Sequence, residues 1–137
     1  MGLDARIESE RGTPLRALPD PRNHVNWILS LARLEGTTCL QLIDPYGDTV
    51  FDEWQLPMLE GELNAAAPSL TEANLEVAKR DYLERAAAWP RGAVLEAQGS
   101  LDSLTVADLR RHLASLLELV AEARRLGAEH CVRFVGD

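Results

Sequence analysis

The last third of the chain contains the feature that most restricts the fold, a long amphipathic helix followed by a short strand. Leucine and valine recur from Val106 to Val120 at the three- and four-residue spacing of a helix that is buried on one side. Thr105 can cap this helix and Gly127 can end it, so about 21 residues span ~30 Å, enough to cross a small sheet. The mostly apolar run from Cys131 to Val135 then predicts a final strand.

Two strands and a helix are predicted before residue 36. Leu3, Ala5 and Ile7 alternate with charged residues, and a turn around Gly12 leads into a second short run, which together indicate an N-terminal hairpin. Asp20 followed by Pro21 is typical of a helix start. We expect a first helix of about a dozen residues that ends before Gly36.

The central stretch is predicted to be a second hairpin with an acidic turn. Cys39 to Ile43 is apolar apart from one glutamine, as in an interior strand, and Thr49 to Phe51 would return antiparallel to it. Asp44 to Gly47 supplies the proline and glycine of a tight turn. The run that begins at Cys131 repeats the pattern of the run that begins at Cys39, so we place these two strands side by side.

The remaining segments indicate two more helices and a loop. Pro57 begins a short helix that reaches Ala66, and a capping box at Ser69 begins a third helix that ends before Pro90. Residues 91–103 show no periodicity, contain two glycines and are predicted to be a loop. The long helix has a secondary edge at Leu119 and Leu126, which could receive the third helix or a second protomer.

These elements predict an α+β fold in a single small domain covering residues 1–137. We expect a short, mostly antiparallel sheet packed against three or four helices, with the long C-terminal helix followed by a final strand. At 46% hydrophobic residues the chain can bury a core, and no apolar run reaches the roughly 18 residues of a membrane span. The N-terminus lacks the order of a signal peptide, so we expect a cytoplasmic protein. Cys39 and Cys131 are then two buried thiols or, less commonly in a reducing compartment, a disulfide.

The acidic residues are concentrated in one third of the chain. The net charge is −8, yet the segment from Leu34 to Ala78 contains nine acids and no lysine, arginine or histidine. The nine are Glu35, Asp44, Asp48, Asp52, Glu53, Glu60, Glu62, Glu72 and Glu76. This balance repels nucleic acid and anionic membranes and favours a basic protein partner.

The common catalytic signatures are missing from the sequence. It contains no phosphate-binding loop, no nucleophile elbow, no dinucleotide-binding glycine pattern and no His-Glu-x-x-His motif. His24, His112 and His130 are scattered along the sequence, and we expect them to serve in packing, because zinc would need ligands from distant segments. We therefore expect no catalytic residues, no metal and no cofactor.

The acidic stretch instead resembles a surface that binds another protein. An aromatic ring beside carboxylates is a common composition of a binding hot spot, although filling the core is the commoner role for a residue such as Trp54. Tyr46, at the tip of the turn, is the better candidate for an exposed anchor. The predicted partner-binding residues are Asp44, Tyr46, Asp48, Asp52, Glu53, Trp54, Glu60 and Glu62.

The segments 44–51 and 132–137 resemble a family of small uncharacterised bacterial proteins with an Asp-Pro-Tyr-Gly-Asp-Thr-Val-Phe hairpin, which implies no activity. In size and acidity the chain is also similar to bacterial immunity proteins. We expect an immunity or inhibitor protein that occludes the active site of a basic partner, a cognate toxin enzyme, as a monomer or homodimer. Two alternatives remain open: a small metal-dependent enzyme that uses Asp44, Asp48 and Asp52, and a regulatory homodimer joined through the long helix.

Overall fold

A four-stranded antiparallel sheet forms one layer of the fold. The computed structural model describes residues 2–136, and its strands are β1 (Asp4–Ser9), β2 (Pro14–Leu18), β3 (Asp48–Phe51) and β4 (His130–Val135). They lie in the order β2-β1-β4-β3, and each neighbouring pair is antiparallel. Met1, in the segment considered for a signal peptide, and Asp137, in the segment of family resemblance, lie outside the described residues.

Five α-helices complete the described part of the chain. They are α1 (His24–Leu31), α2 (Leu56–Ala66), α3 (Glu72–Ala86), α4 (Arg91–Asp102) and α5 (Val106–Leu126), with two single 3-10 turns at Leu40–Leu42 and Ala67–Ser69. The α+β class, the single small domain and the long C-terminal helix followed by a final strand are confirmed. Among residues 2–136, no helix has the length and apolar character that crossing a membrane requires.

Helix α5 is the scaffold on which the other elements pack. It lies against β1, β2 and β4 on one side and against α1 and α2 on others. Its N-terminus is capped by Thr105, whose Oγ1 accepts a hydrogen bond from the Asp108 N–H at 3.1 Å. Its C-terminus ends at Gly127, whose φ of 78° favours glycine. Both predicted boundaries of this helix are confirmed.

The sheet buries one face against the helices and leaves the other open. Ala5, Ile7, Phe51, Val132 and Phe134 are fully buried, and the register places them in paired rows on the same face. The rings of Phe51 and Phe134 pack edge to face with centroids 6.0 Å apart. The alternation of apolar and charged residues predicted for β1 is confirmed, because the charged residues next to Ala5 and Ile7 point to the opposite face of the sheet.

The open face is held together by a network of charges centred on Glu8. Arg6 and Arg133 are directly opposite each other in the register, where like charges would repel. Glu8 accepts hydrogen bonds from the Nε atoms of both arginines, and a second nitrogen of Arg133 lies 3.2 Å from Asp48. The arginines cover Glu8 so fully that it is only 2% exposed. Burial by itself raises the pKa of Glu8, but the hydrogen bonds and charges of Arg133 and Arg6 lower it below 4.5 overall.

The strand predicted at Cys39–Ile43 is wrong. This segment forms the 3-10 turn Leu40–Leu42, and β3 pairs with β4 instead of with it. The N–H groups of Cys39 and Leu40 donate to the Glu62 carboxylate, and both sides of β4 are already occupied by β1 and β3. The predicted pairing of the Cys39 and Cys131 segments is therefore also wrong.

The loop predicted for residues 91–103 is helix α4. Pro90 stands at its N-cap, and the Pro90 carbonyl accepts a hydrogen bond from the Val94 N–H at 3.1 Å. Ala97 and Leu101, four residues apart, provide its buried contacts. The sequence pattern was misleading because only this narrow stripe of the helix is buried, while both glycines are exposed.

Three smaller expectations also need correction. Helix α1 was expected to begin at Asp20–Pro21 and to have about a dozen residues, but it begins at His24 and has 8. The Asp20 carboxylate accepts hydrogen bonds from the N–H groups of His24 and Val25, so the helix starts there. Helix α3 is capped by Thr71, whose Oγ1 accepts from the Asn74 N–H at 3.2 Å, and not by Ser69. Leu119 belongs to the core and is not part of an exposed edge.

Replacing Glu8 tests the energetic role of the charge network. We expect Glu8→Gln to lower the free energy of unfolding near neutral pH by about 1.5–3 kcal/mol, because charge-assisted hydrogen bonds to two arginines are lost. The pKa of Glu8 is lower in the folded protein than in the unfolded chain. The stabilisation that ionised Glu8 provides is therefore complete above pH 4.5 and disappears as the pH falls through the folded-state pKa. Urea unfolding at about pH 7 and about pH 3 measures both effects.

Acidification should therefore destabilise the wild type more than the Glu8→Gln variant. Glu10→Gln, a change of the same kind at an exposed turn position, serves as the control and should follow the wild type. Equal losses of stability in the wild type and Glu8→Gln would show that Glu8 has no such role.

Candidate functional site

The structure exposes both aromatic residues of the predicted binding surface. Tyr46, in the turn before β3, is 78% exposed, and Trp54, in the turn after β3, is 83% exposed. The alternative in which Trp54 fills the core is therefore wrong. Strand β3 lies at one edge of the sheet and is only four residues long, about 10 Å, so the two rings flank a short sheet edge.

The turn that carries Tyr46 is fixed to the end of β4. The Asp44 Oδ1 accepts a hydrogen bond from the Tyr46 N–H at 2.9 Å, and the Gly47 carbonyl accepts one from the Gly136 N–H at 2.8 Å. A Cβ at Gly136 would lie 2.5 Å from the Pro45 carbonyl oxygen, so the close approach requires glycine. The backbone of this turn is thus anchored while the Tyr46 ring stays in water.

The turn that carries Trp54 is held by a reciprocal pair of hydrogen bonds at the start of α2. The Asp52 Oδ1 accepts from the N–H groups of Trp54 and Gln55, at 3.0 and 3.1 Å. The Gln55 Oε1 in turn accepts from the Asp52 N–H at 3.0 Å. This is the geometry of a capping box, which orders the residues before a helix. Trp54 is therefore presented from a rigid backbone.

Three of the predicted carboxylates have partners inside the protein. Asp48 pairs with Arg133 at 3.2 Å, and Glu60 pairs with Arg124 at 2.8 Å. Glu62 accepts hydrogen bonds from the N–H groups of residues 38, 39 and 40 at 2.7–2.9 Å and so caps the 3-10 turn. Within residues 2–136, Glu53 shows no such hydrogen bond or ion pair. Asp44 and Asp52 use an oxygen on their own turns but are exposed, so their charge still faces solvent.

Apolar side chains add to this surface. Leu42 is 55% exposed, and the carbonyl of Leu42 accepts from the Thr49 hydroxyl at 3.3 Å, which places Leu42 beside β3. Val50 points to the open face of the sheet, and Met58 is half exposed on α2. These three residues were not predicted from the sequence, because a run of apolar residues gives no sign of which member will remain in solvent.

The two cysteines are free thiols in different environments. Cys39 is buried near the Gln55 carbonyl, and Cys131 is half buried on β4. Burial raises the pKa of the Cys39 thiol, and the negative charge of Glu62 raises it further. Burial also raises the pKa of Cys131, assisted by the charge of Glu8. Both thiols are therefore protonated at neutral pH, which is unfavourable for a nucleophile.

One group among residues 2–136 has the composition and spacing to hold a metal ion, and it lies outside the predicted surface. Asp20, His24 and His112 bring their ligand atoms within 4.8 Å of one another. His24 and His112 are far apart in the sequence, but the packing of α1 on α5 brings their ring centroids to 5.5 Å. Burial lowers the pKa of His112 below 6.5; the charge of Asp20 opposes this shift, and that of His24 adds to it.

The sequence contained half of the signal for this group. Asp20 and His24 are four residues apart at a predicted helix start, a spacing that can direct both side chains to one side. His112 is 88 positions after His24 and only tertiary packing places it there. Asp44, Asp48 and Asp52 do not form such a group in the described part of the chain.

Comparison with known proteins does not place the chain in a family. No protein-family model, curated protein or solved structure matches it. The resemblance of the Asp44–Phe51 segment to a small bacterial family therefore stays a prediction. The function has to be inferred from the geometry and chemistry of the surface itself.

Substitutions of Glu62 and Glu53 should distinguish a carboxylate with hydrogen-bond partners from one without a described partner. We expect Glu62→Ala to lower the free energy of unfolding by about 1.5–3 kcal/mol, because three N–H groups lose a charged acceptor. Glu53→Ala removes the same charge from a side chain without a described partner and should change stability by less than about 0.5 kcal/mol. Urea unfolding measures the difference, and amide hydrogen exchange at Cys39 and Leu40 should quicken only in Glu62→Ala. Equal effects of the two substitutions would refute the capping role.

Proposed function

We propose that this protein is a binding protein of the immunity or inhibitor kind, which contacts a basic protein partner and occludes its active site. The contact surface consists of the eight predicted residues, with Tyr46 and Trp54 as its anchors. The observation that carries the proposal is the exposure of these two rings, 78% and 83%, on rigid turns within an acid-rich segment.

The exposed rings favour a partner on energetic grounds. A large apolar side chain gains roughly 1.5–3 kcal/mol when it is moved from water into a packed environment. Trp54 forgoes most of this gain in the free protein, although its backbone is fully ordered by Asp52 and Gln55. A partner that covers the ring recovers the gain without ordering the loop, which is how preorganised hot spots achieve affinity.

The charges favour a basic partner. No base occurs between Leu34 and Ala78, and Arg124 and Arg133 from outside the segment neutralise only Glu60 and Asp48. Asp44, Asp52 and Glu53 remain available beside the two rings. Carboxylates in this position would mimic substrate phosphates in the cationic cleft of a toxin enzyme and would accelerate encounter at low salt.

The alternatives have less support from the side-chain contacts. Within residues 2–136, the hairpin aspartates do not bring their oxygens together as a group that could hold a divalent cation. The homodimer hypothesis needs Leu119 and Leu126 to form an exposed apolar edge on α5 that contacts a second protomer. Leu119 is buried in the core, and Leu126 alone of the pair is exposed.

The proposal predicts that a neighbouring reading frame encodes a secreted protein with a small basic C-terminal domain, and that domain is the partner for the binding test. A charge variant combines Asp44→Asn, Asp52→Asn and Glu53→Gln, which keeps the acceptors that hold the turns. We expect it to lower the association rate at least about tenfold at low salt and to change the dissociation rate little. An aromatic variant, Tyr46→Ala with Trp54→Ala, should instead speed dissociation and weaken Kd at least about 30-fold.

Matched controls change the same chemistry elsewhere. Glu10→Gln, Glu84→Gln and Glu96→Gln together remove three exposed charges outside the surface, and Leu95→Ala removes an exposed apolar side chain on α4. Both controls should bind like the wild type in surface plasmon resonance and should protect cells that co-express the basic domain. Binding that is unchanged in the charge and aromatic variants would refute the proposed surface.

A further inference from the structure

Three side chains from separate parts of the chain converge at the start of α1. Asp20 follows β2 and is 1% exposed, His24 is the first residue of α1, and His112 lies on α5. A carboxylate oxygen and one nitrogen from each imidazole lie within 4.8 Å of one another. The two rings meet at 75° with centroids 5.5 Å apart, so they are not stacked face to face.

His112 has a buried nitrogen without a partner. Its Nε2 is shielded from solvent and has no hydrogen bond to any of the residues 2–136. A buried polar atom left unpaired costs about 1–3 kcal/mol, and folded proteins rarely leave one without a protein group, a water or an ion. His112 is a member of the three-residue group, and a metal ion held by that group is a partner that would satisfy this nitrogen.

Asp20 is held in place by the backbone. Its carboxylate accepts hydrogen bonds from the N–H groups of Leu3 at 3.1 Å, His24 at 2.6 Å and Val25 at 3.0 Å. A carboxylate has about four acceptor directions, so one is still available. These bonds fix the orientation of the carboxylate, as the outer hydrogen bonds of metal ligands do.

We propose that Asp20, His24 and His112 bind a divalent transition-metal ion of the zinc or iron(II) class. Two imidazoles and one carboxylate are the donor set of catalytic zinc sites and of non-haem iron sites. Magnesium and calcium prefer oxygen donors alone and do not suit this group. The site shares no residue with the acidic surface and is independent of the proposed protein-binding function.

Binding requires a small closure of the three side chains. Ligands at about 2.0–2.1 Å from a tetrahedral zinc lie ~3.3 Å apart, whereas these atoms are within 4.8 Å. Rotation of the two half-buried imidazoles toward the fixed carboxylate supplies the closure. The backbone does not need to move, because Asp20 is tied to three N–H groups and α1 packs on α5.

Three protein ligands leave a coordination position free for a small molecule. A cavity of about 210 Å³ lies beside both imidazoles and is also lined by Asp108, Arg111 and Ser115. Its volume is enough for several waters at ~30 Å³ each. Arg111 and Asp108 form an ion pair at 3.2 Å, so their charges offset each other and water suits the free position.

Isothermal titration calorimetry of the metal-stripped protein with zinc chloride near pH 7.5 tests the proposal. We expect one Zn²⁺ per chain, an increase in Tm, and a visible absorption band of low-symmetry coordination when Co²⁺ replaces Zn²⁺. Magnesium chloride and calcium chloride should give no binding heat above dilution, because the site has nitrogen donors. Binding of Mg²⁺ or Ca²⁺ as strongly as Zn²⁺ would overturn the assignment.

Single-ligand variants locate the site. His24→Ala and His112→Gln should each weaken Zn²⁺ binding at least about a hundredfold, since removal of an outer-shell group alone costs up to that much. His130→Ala, which removes a histidine outside the group, is the matched control and should bind like the wild type. Circular dichroism checks that each variant is folded. If one of the two ligand variants does not fold, the other still tests the site. Absence of stoichiometric zinc in the wild type, or equal binding in all variants, overturns the proposal.

Discussion

The packing of α5 across the inner face of the sheet is the contact on which the rest of the structure depends. Seven residues of this helix between Val106 and Ala123 are buried, and the helix contacts β1 and β4 as well as α1 and α2. Because a single helical layer covers only one face, the other face must be compatible with water. The chain meets that requirement with Glu8, which binds both arginines that would otherwise face each other as like charges.

The same packing decides where the two candidate sites lie. Strands β1 and β4 occupy the middle of the sheet above α5, so the acidic segment contributes only a short edge strand. Its carboxylates then order turns and cap helices, and this rigid backbone holds Tyr46 and Trp54 in water. Elsewhere, α1 packs on α5 and brings His112 to Asp20 and His24. The acidic binding surface and the group of Asp20, His24 and His112 thus both depend on the position of α5.

Local signals and long-range packing account for the difference between expectation and structure. The long helix was predicted with both of its ends, since Thr105 and Gly127 act within one turn of it. The segment at Cys39 was predicted as a strand from its apolar run, yet the Glu62 side chain 23 residues later takes its N–H groups. Helix α4 was not predicted, because its two glycines and its narrow buried stripe give the sequence a pattern that is typical of a loop.

The sequence by itself determined the α+β class, the N-terminal hairpin, the long helix and the final strand, because periodicity and capping act between residues close along the chain. It also determined the concentration of acids between Leu34 and Ala78. Tertiary structure alone decided which carboxylates are engaged, that Trp54 is exposed, and that His112 meets Asp20 and His24. These outcomes depend on which elements compete for the same backbone groups and the same core, and that competition exists only in the folded chain.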